Sequence, residues 1–246
     1  MAIIGGRSHT IEQIHEVAQL GYPFAEISLY KPEVVESELD DLLKLKARYG
    51  ITYIAHYPNE DGPFDAQILK ELFIPRMKKL LGLTQALEIR KGTLHFWMDR
   101  RWISAKLASH KVELLSDMVG AATEAGVVLC VENLSERFES FLPAFEDIPE
   151  LRMTLDIGHA QLLSQDNTSF QFIENCFERI AHVHVHDNRG GTSVKDDLHL
   201  PLGDGDVDYP RIFTLMKEKG YRSTITMEVK PPDMAHTRDN ILKYLG

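Results

Sequence analysis

Short apolar runs alternate with longer amphipathic segments along the chain, and this alternation predicts a repeat of one strand followed by one helix. In the first unit, the apolar run at 2–4 precedes an amphipathic segment at 10–20 that ends before Gly21. The repeat predicts strands at residues 2–4, 24–29, 51–56, 92–96, 127–132, 152–156, 180–186 and 223–229. It predicts helices at residues 10–20, 33–48, 65–86, 104–125, 142–148, 169–179 and 233–244.

The number of repeats favours a closed barrel. The chain has 246 residues, so each of the predicted units has about 31 residues, which suits a (β/α)8 barrel. A doubly wound sheet more often stops at five or six strands. Because no linker or change of composition divides the sequence, we predict one (β/α)8 TIM barrel domain over residues 1–246. The segment 188–208, rich in Gly and Asp, is predicted to be a functional loop.

Composition fits a globular enzyme and disfavours nucleic-acid binding. Hydrophobic residues make up 43% of the chain and charged residues 26%, which is ordinary for a folded domain. The net charge of -10 repels phosphate backbones. Cys130 and Cys176 have no CxxC partner and are predicted to be free thiols. Without a signal-peptide pattern or a run of 18 apolar residues, the sequence predicts a cytoplasmic protein that does not enter membranes.

Polar side chains that can bind metals end most of the predicted strands. Active sites of barrels form at the carboxyl ends of the strands, so residues at these positions converge. The side chains at the ends of five predicted strands are His56, His95, Glu132, Asp156 and Glu228. On the seventh strand, the alternation of side chains places His182, His184 and His186 on one face, which we predict to line the lumen. His182 is predicted to lie deeper, satisfied by its neighbours.

These residues predict a divalent-metal site. His159 forms Asp-x-x-His with Asp156, and Asp197 forms Asp-x-His with His199. Carboxylate and imidazole ligands suit Zn, Mn, Co or Fe, and the lack of clustered cysteines argues against a structural zinc site. Unpaired polar groups that converge on one lumen would be costly without a cation. We therefore predict a catalytic metal site formed by Glu132, Asp156, His184 and Glu228.

The motifs resemble the xylose isomerase-like barrel superfamily, which includes sugar-phosphate isomerases and epimerases, hydroxypyruvate isomerase-like enzymes and the DNA-repair enzyme endonuclease IV. The resemblance rests on VEN at 131–133, LDIGH at 155–159, HVHVHD at 182–187, HLPLGDG at 199–205 and MEV at 227–229. In the isomerase and epimerase branch it implies one Mn, Mg, Co or Zn ion on the four predicted ligands. It also implies that His159 lies near the substrate and that Glu132 and Glu228 move protons.

The endonuclease branch implies a different site, because its members use a three-zinc cluster. That ligand pattern matches His56, His95, Glu132, Asp156, His159, His184, Asp197, His199 and Glu228. The chain departs from this branch at His186-Asp187-Asn188, where the endonuclease usually has Asn-Asp-Ser. It departs again at Ile157-Gly158, where the endonuclease usually has Thr-Cys. Many isomerase-like members also keep the additional histidines, so the ligand set constrains the metal and not the substrate.

We predict a metal-dependent isomerase or epimerase that acts on a small sugar, sugar phosphate or other hydroxy-carbonyl compound through an enediolate. Glu132, Glu228 and His159 are the predicted catalytic residues. Asn133 and Asp187 are predicted to orient other groups of the site, and Trp97 is a candidate wall for the substrate.

Two alternatives differ in class. The first is a zinc phosphodiesterase of the AP endonuclease type, which would use up to three zinc ions and the additional ligands His56, His95, His159, Asp197 and His199. The second is a binding protein that holds a metal or sugar without turnover. The predicted partner is a small carbohydrate, without nucleic acid, and barrel enzymes commonly form homo-oligomers.

Overall fold

The parallel strands close into a barrel, as the strand and helix repeat predicts. The computed structural model describes residues 1–246, apart from the side chain of residue 194. The strands are β1 (Ile3–Ser8), β2 (Phe24–Ser28), β3 (Thr52–His56), β4 (Lys91–Leu94), β5 (Val128–Glu132), β6 (Arg152–Asp156), β7 (Ile180–Val185) and β8 (Thr224–Met227). Each strand pairs with the next along the chain, and β8 pairs with β1. The predicted (β/α)8 TIM barrel is confirmed.

Helices follow the strands and pack their apolar faces against the barrel. They are α1 (Ile11–Gln19), α2 (Pro32–Tyr49), α3 (Ala66–Ile68), α4 (Ile74–Ala86), α5 (Ala105–Glu124), α6 (Phe138–Asp147), α7 (Ser169–Asn175), α8 (Tyr209–Glu218) and α9 (Met234–Leu245). A π-helical turn at Leu69–Phe73 joins α3 to α4, and 3-10 turns lie at His159–Gln161, Phe177–Arg179, Val194–Asp196 and Pro231–Asp233. Across the described part of the chain, helices lack the length and apolar character needed to cross a membrane.

Two helices correct the sequence prediction. The prediction has no helix between strands seven and eight, whereas the structure has α8 there. The side chain of Asp208 caps this helix by accepting a hydrogen bond from the backbone N–H of Arg211 in the first turn. Asp-Tyr-Pro after a glycine-rich loop suggests a turn, but Pro210 is tolerated in the first turn of a helix. Helix α6 begins at Phe138 and not near residue 142, so Pro143 lies in the interior of the helix, where proline is ordinarily unfavourable.

Strand β1 is longer than predicted, since it continues through Gly5 and Gly6 to Ser8. A Cβ atom on Gly5 would lie 2.5 Å from the carbonyl oxygen of Phe24. Glycine is therefore required by close packing and does not mark the end of the strand. The extension places Arg7 at the carboxyl end of β1, in register with Glu26 on β2.

Candidate metal centre

The structure brings the nine predicted ligands together at the carboxyl ends of the strands. Four of them form what we call the inner group, in which Glu132, Asp156 and Glu228 surround the ring of His184. Its Nδ1 atom lies 3.2 Å from Oε1 of Glu132, 3.4 Å from Oε1 of Glu228 and 3.8 Å from Oδ2 of Asp156. Asp156 and His184 are register partners on β6 and β7. All four side chains are buried.

A second set, the β4 group, consists of Glu132, His56 and His95. Oε2 of Glu132 lies 2.8 Å from Nε2 of His95 and 3.7 Å from Nε2 of His56. His56 ends β3, whereas His95 follows β4. Glu132 therefore presents one oxygen to the inner group and the other to the β4 group.

A third set, the loop group, consists of His159, Asp197 and His199. Oδ2 of Asp197 lies 3.2 Å from Nε2 of His159 and 3.0 Å from Nε2 of His199. His199 has a φ of 47°, a left-handed backbone that costs free energy for a residue with a side chain. The surrounding structure holds it there, since its Nδ1 donates to the carbonyl oxygen of Glu228 at 3.0 Å. The loop group therefore closes over the inner group.

Four of the five predicted histidine ligands direct one ring nitrogen away from the centre to an acceptor, which fixes how the ring presents its other nitrogen. The contacts are His56 Nδ1 to the oxygen of Tyr57, 3.1 Å; His95 Nδ1 to Oδ1 of Asn59, 2.7 Å; His184 Nε2 to Oε2 of Glu26, 2.9 Å; and His199 Nδ1 to the oxygen of Glu228. In the fifth, His159, the Nδ1 atom lies 3.2 Å from the oxygen of Asn133 and 3.1 Å from Oε1 of Glu132. Because carbonyl and carboxylate oxygens only accept, the first four rings carry a proton on the outward nitrogen. Their inward nitrogens face carboxylate oxygens, and a cation between the two would take the place of a shared proton.

The charges of the inner group also fit a cation. Oδ2 of Asp156 is buried and has no hydrogen-bond partner among the described residues. Burial disfavours the charged form of His184, but the carboxylates of Glu26, Glu228 and Glu132 raise its pKa well above the ordinary value. Burial opposes the ionisation of Glu132, but His95 and His184 hold its pKa well below the ordinary value. The donor set therefore carries excess negative charge and could hold a divalent cation.

Two residues that the sequence analysis did not identify support the centre. Arg7 places its Nε atom 3.3 Å from Oε1 of Glu228 and directs its terminal nitrogens to oxygens on β1, β2 and the residues after β2. Glu26 is buried below the inner group and accepts from Nε2 of His184. The sequence signal for Glu26 is a charge inside the apolar run FAEISL.

The predicted orienting residues act on the backbone. Asn133 exchanges two hydrogen bonds with the backbone of Asp156, at 2.8 and 2.9 Å, and so ties the ends of β5 and β6 together. Asp187 accepts from the N–H groups of Gly203 and Val207, at 2.8 and 3.0 Å. Asp187 thus fixes the long loop that carries the loop group. His182 lies deeper in the lumen, as predicted, and contacts Glu26.

A cavity of about 490 Å³ opens beside the centre and touches His95, His159 and Asp197. Apolar side chains form much of its wall, namely Trp97, Leu134, Leu162 and Leu163. Its remaining lining residues are Asn59, Ser135, Thr192 and Ser193. The cavity therefore offers polar groups at the metal centre and an apolar surface farther out.

Trp97 is held rigidly in this wall. Its Nε1 donates to Oγ of Ser135 at 3.0 Å, and its backbone N–H donates to Oε1 of Glu60 at 2.7 Å. Burial raises the pKa of Glu60 to about 7, although the ammonium group of Lys111 opposes this shift. Oε2 of Glu60 lies 2.8 Å from Nζ of Lys111, which is itself fully buried. The indole is thus fixed before any ligand binds.

His186, which the sequence places on the face of His184, is fully buried beside the loop group. Its ring stacks on that of His199 with centroids 4.0 Å apart. Gly158 makes room for it, since a Cβ atom at residue 158 would lie 2.2 Å from Cε1 of His186. The absence of a side chain at residue 158 therefore leaves the space that the imidazole of His186 fills.

We expect Gly158→Ala to destabilise the protein by about 1–3 kcal/mol, because the added methyl group must displace the His186 ring. The backbone of Gly158 has ordinary right-handed angles, φ -78° and ψ -47°, so the expected destabilisation comes from the clash and not from backbone strain. Urea unfolding measures the effect. Gly120→Ala on α5 is the matched control, since a Cβ there has open space and alanine stabilises helices by up to about 1 kcal/mol. Equal unfolding free energies for the two variants would contradict the prediction.

Comparison with known proteins identifies the family of the chain and the structures that share its fold. Residues 14–243 match the family described as Xylose isomerase-like TIM barrel. An uncharacterized protein of Methanocaldococcus jannaschii, MJ1311, is 26% identical over 219 residues, which cover 83% of this chain and 73% of that protein. A solved structure of a D-tagatose 3-epimerase-like protein matches with a TM-score of 0.81 at 22% identity, covering 99% of this chain and 97% of that one. For L-ribulose 3-epimerase the TM-score is 0.80 at 17% identity, with 100% and 95% covered.

Proposed function

Because the chain belongs to the xylose isomerase-like TIM barrel family, we propose that it is a metal-dependent isomerase or epimerase of a small sugar, sugar phosphate or related hydroxy-carbonyl compound. One observation carries the proposal: Glu132 and Glu228, from different sides of the barrel, both lie within hydrogen-bonding reach of Nδ1 of His184, at 3.2 and 3.4 Å. A pair of carboxylates around one cation position suits proton transfer at carbon. Sugar 3-epimerases among the structures of the same fold support this choice.

The inner group would hold the cation through Glu132, Asp156, His184 and Glu228. When bound, a divalent cation supplies a Lewis acid that stabilises negative charge on a substrate oxygen. One of the two glutamates would remove the proton from the carbon beside the carbonyl group, and the other would return a proton. His159 lines the cavity and would hydrogen-bond the substrate oxygen. The apolar wall would keep water from the reacting carbon.

The lining of the cavity favours a small substrate that is uncharged in the part that lies away from the metal centre. Its described lining residues include neither lysine nor arginine, and Trp97 offers a flat surface to the C–H groups of a sugar. Arg101 lies near this wall, but its guanidinium group already has partners within the protein. It pairs with Asp99 and donates to the carbonyl oxygens of Leu163 and Ser135. We therefore expect free sugars to be better substrates than their phosphates.

We expect Trp97→Ala to raise KM by about 10-fold, which corresponds to about 1.4 kcal/mol of lost binding, with a smaller effect on kcat. The reason is that the indole contacts bound substrate while the proton-transferring groups lie elsewhere. Steady-state kinetics on the best substrate measures both constants. Trp102→Ala is the control, because Trp102 is 57% exposed and does not line the cavity. Similar constants for the two variants would argue against a substrate site at Trp97.

A second candidate is a zinc phosphodiesterase of the AP endonuclease type. The observation that favours it is the convergence of the β4 group and the loop group on the two sides of the inner group. With cations on all three groups, the site could neutralise a phosphodiester. The net charge of -10 disfavours a long nucleic acid as the substrate.

Isotope exchange tests the proposal. The purified protein is incubated with a panel of ketoses, sugar acids and their phosphates in D2O, with Mn²⁺, Co²⁺ or Zn²⁺ added. Deuterium at the carbon beside the carbonyl group, together with the isomerised or epimerised product, would support it. Absence of exchange with every cation, combined with hydrolysis of phosphodiesters, would favour the second candidate.

A further inference from the structure

We propose that Glu26 is the positioning residue that makes Nδ1 of His184 its metal-binding atom. The inference rests on the proposed cation site and does not depend on which reaction that site catalyses. Neither composition nor the strand-end rule singles out Glu26, because it lies inside β2 and not at its end.

Both oxygens of Glu26 lie near the Nε2 atom of His184, Oε1 at 3.0 Å and Oε2 at 2.9 Å. A carboxylate only accepts, so Nε2 carries a proton and donates it to Glu26. Nδ1 then faces Glu132 and Glu228, where a cation would take the place of a second ring proton. This is the arrangement in which a carboxylate orients a histidine ligand and increases its basicity.

Glu26 is anchored independently of His184. Its side chain is fully buried, and Oε2 also accepts from Nε2 of His182 at 2.9 Å and from Oγ1 of Thr226 at 2.5 Å. His182 is in turn held through Nδ1 by Oγ1 of Thr224 at 2.7 Å. These contacts come from β7 and β8, so they fix the carboxylate from below while His184 meets it from above.

His184 differs from three other histidine ligands in the acceptor of its outward N–H group. His56 and His199 direct their outward N–H groups to backbone carbonyl oxygens, and His95 directs its own to the amide oxygen of Asn59. His184 directs its outward N–H to the carboxylate of Glu26. A charged acceptor makes a stronger hydrogen bond than a neutral one. The inner group should therefore bind a cation more tightly than the β4 group or the loop group.

The test is cation affinity in the full-length protein. Metal-free protein is titrated with Zn²⁺ in competition with a chromophoric chelator, for the wild type, Glu26→Gln and Thr226→Val. We expect Glu26→Gln to weaken the tightest site by about 10–100-fold. Thr226→Val removes one of the contacts that anchor Glu26 and leaves the contact between Glu26 and His184, so it should weaken the affinity less than Glu26→Gln does. Unchanged affinity in Glu26→Gln would overturn the proposal.

Two further measurements separate positioning from general stabilisation. Long-range ¹H–¹⁵N spectra of histidine-labelled protein with Zn²⁺ bound report which ring nitrogen carries the proton and which binds the metal. The proposal requires Nε2–H at His184 in the wild type and a loss of that preference in Glu26→Gln, while urea unfolding monitors the fold. If Glu26→Gln fails to fold, Glu26→Asp keeps the charge and should show a smaller loss of affinity. A wild type that binds no cation would instead refute the proposed cation site itself.

Discussion

Replacing Glu132 by glutamine is expected to reduce the exchange of substrate hydrogen with solvent by about 10²–10⁴-fold, the range that general acid–base groups contribute. Glu132 is fully buried, and its two oxygens face His184 and His95 at 3.2 and 2.8 Å. Glutamine keeps the shape but cannot carry the proton, and it replaces one acceptor by an amide donor. Glu228→Gln should reduce the exchange rate by a similar factor. Deuterium incorporation, followed by mass spectrometry, measures the rate.

The control for both variants is Glu139→Gln, which removes a carboxylate from the exposed first turn of α6. It should retain the wild-type exchange rate, because residue 139 has no contact with the centre. Metal content measured on the same samples separates the loss of a proton carrier from the loss of a ligand. Exchange that persists in both Glu132→Gln and Glu228→Gln would exclude these carboxylates as the acid and base.

Much of the centre could be predicted because parallel strands end at the same edge of a barrel. A polar residue that ends an apolar run is thereby placed beside the residues that end the neighbouring runs. Asp156 and His184 illustrate the rule, since the structure makes them register partners. The rule does not need accurate boundaries: β4 ends at Leu94 and β8 at Met227, so His95 and Glu228 follow their strands directly.

The supporting groups could not be predicted in the same way. Whether a charge inside an apolar run is buried depends on partners from distant strands, and the partners of Glu26 come from β7 and β8. Arg7 was missed because Gly5 and Gly6 suggested that β1 had ended. The approach of Asp197 and His199 depends on a bridge between Asp187 and Leu200, which has no local sequence signal.

Metal content is expected to divide the histidine variants into two classes. We expect about one divalent cation per chain in untagged protein purified without added metal, and we expect His184→Ala to lose it. In His184→Ala, Glu132, Asp156 and Glu228 lose the imidazole that they share. The variant should also lose the stabilisation that the cation provides, about 2.7 kcal/mol at a free concentration of 100 Kd. Elemental analysis and thermal unfolding with and without chelator measure these effects.

His95→Ala and His199→Ala should keep the cation, because these residues belong to the β4 group and the loop group and not to the inner group. His95 contacts the second oxygen of Glu132, and His199 contacts Asp197. About three zinc ions in the wild type, reduced in both variants, would mean that all three groups are occupied. That result would favour the phosphodiesterase, because an isomerase needs the inner group alone. The number of bound ions therefore decides which chemistry nine converging ligands serve.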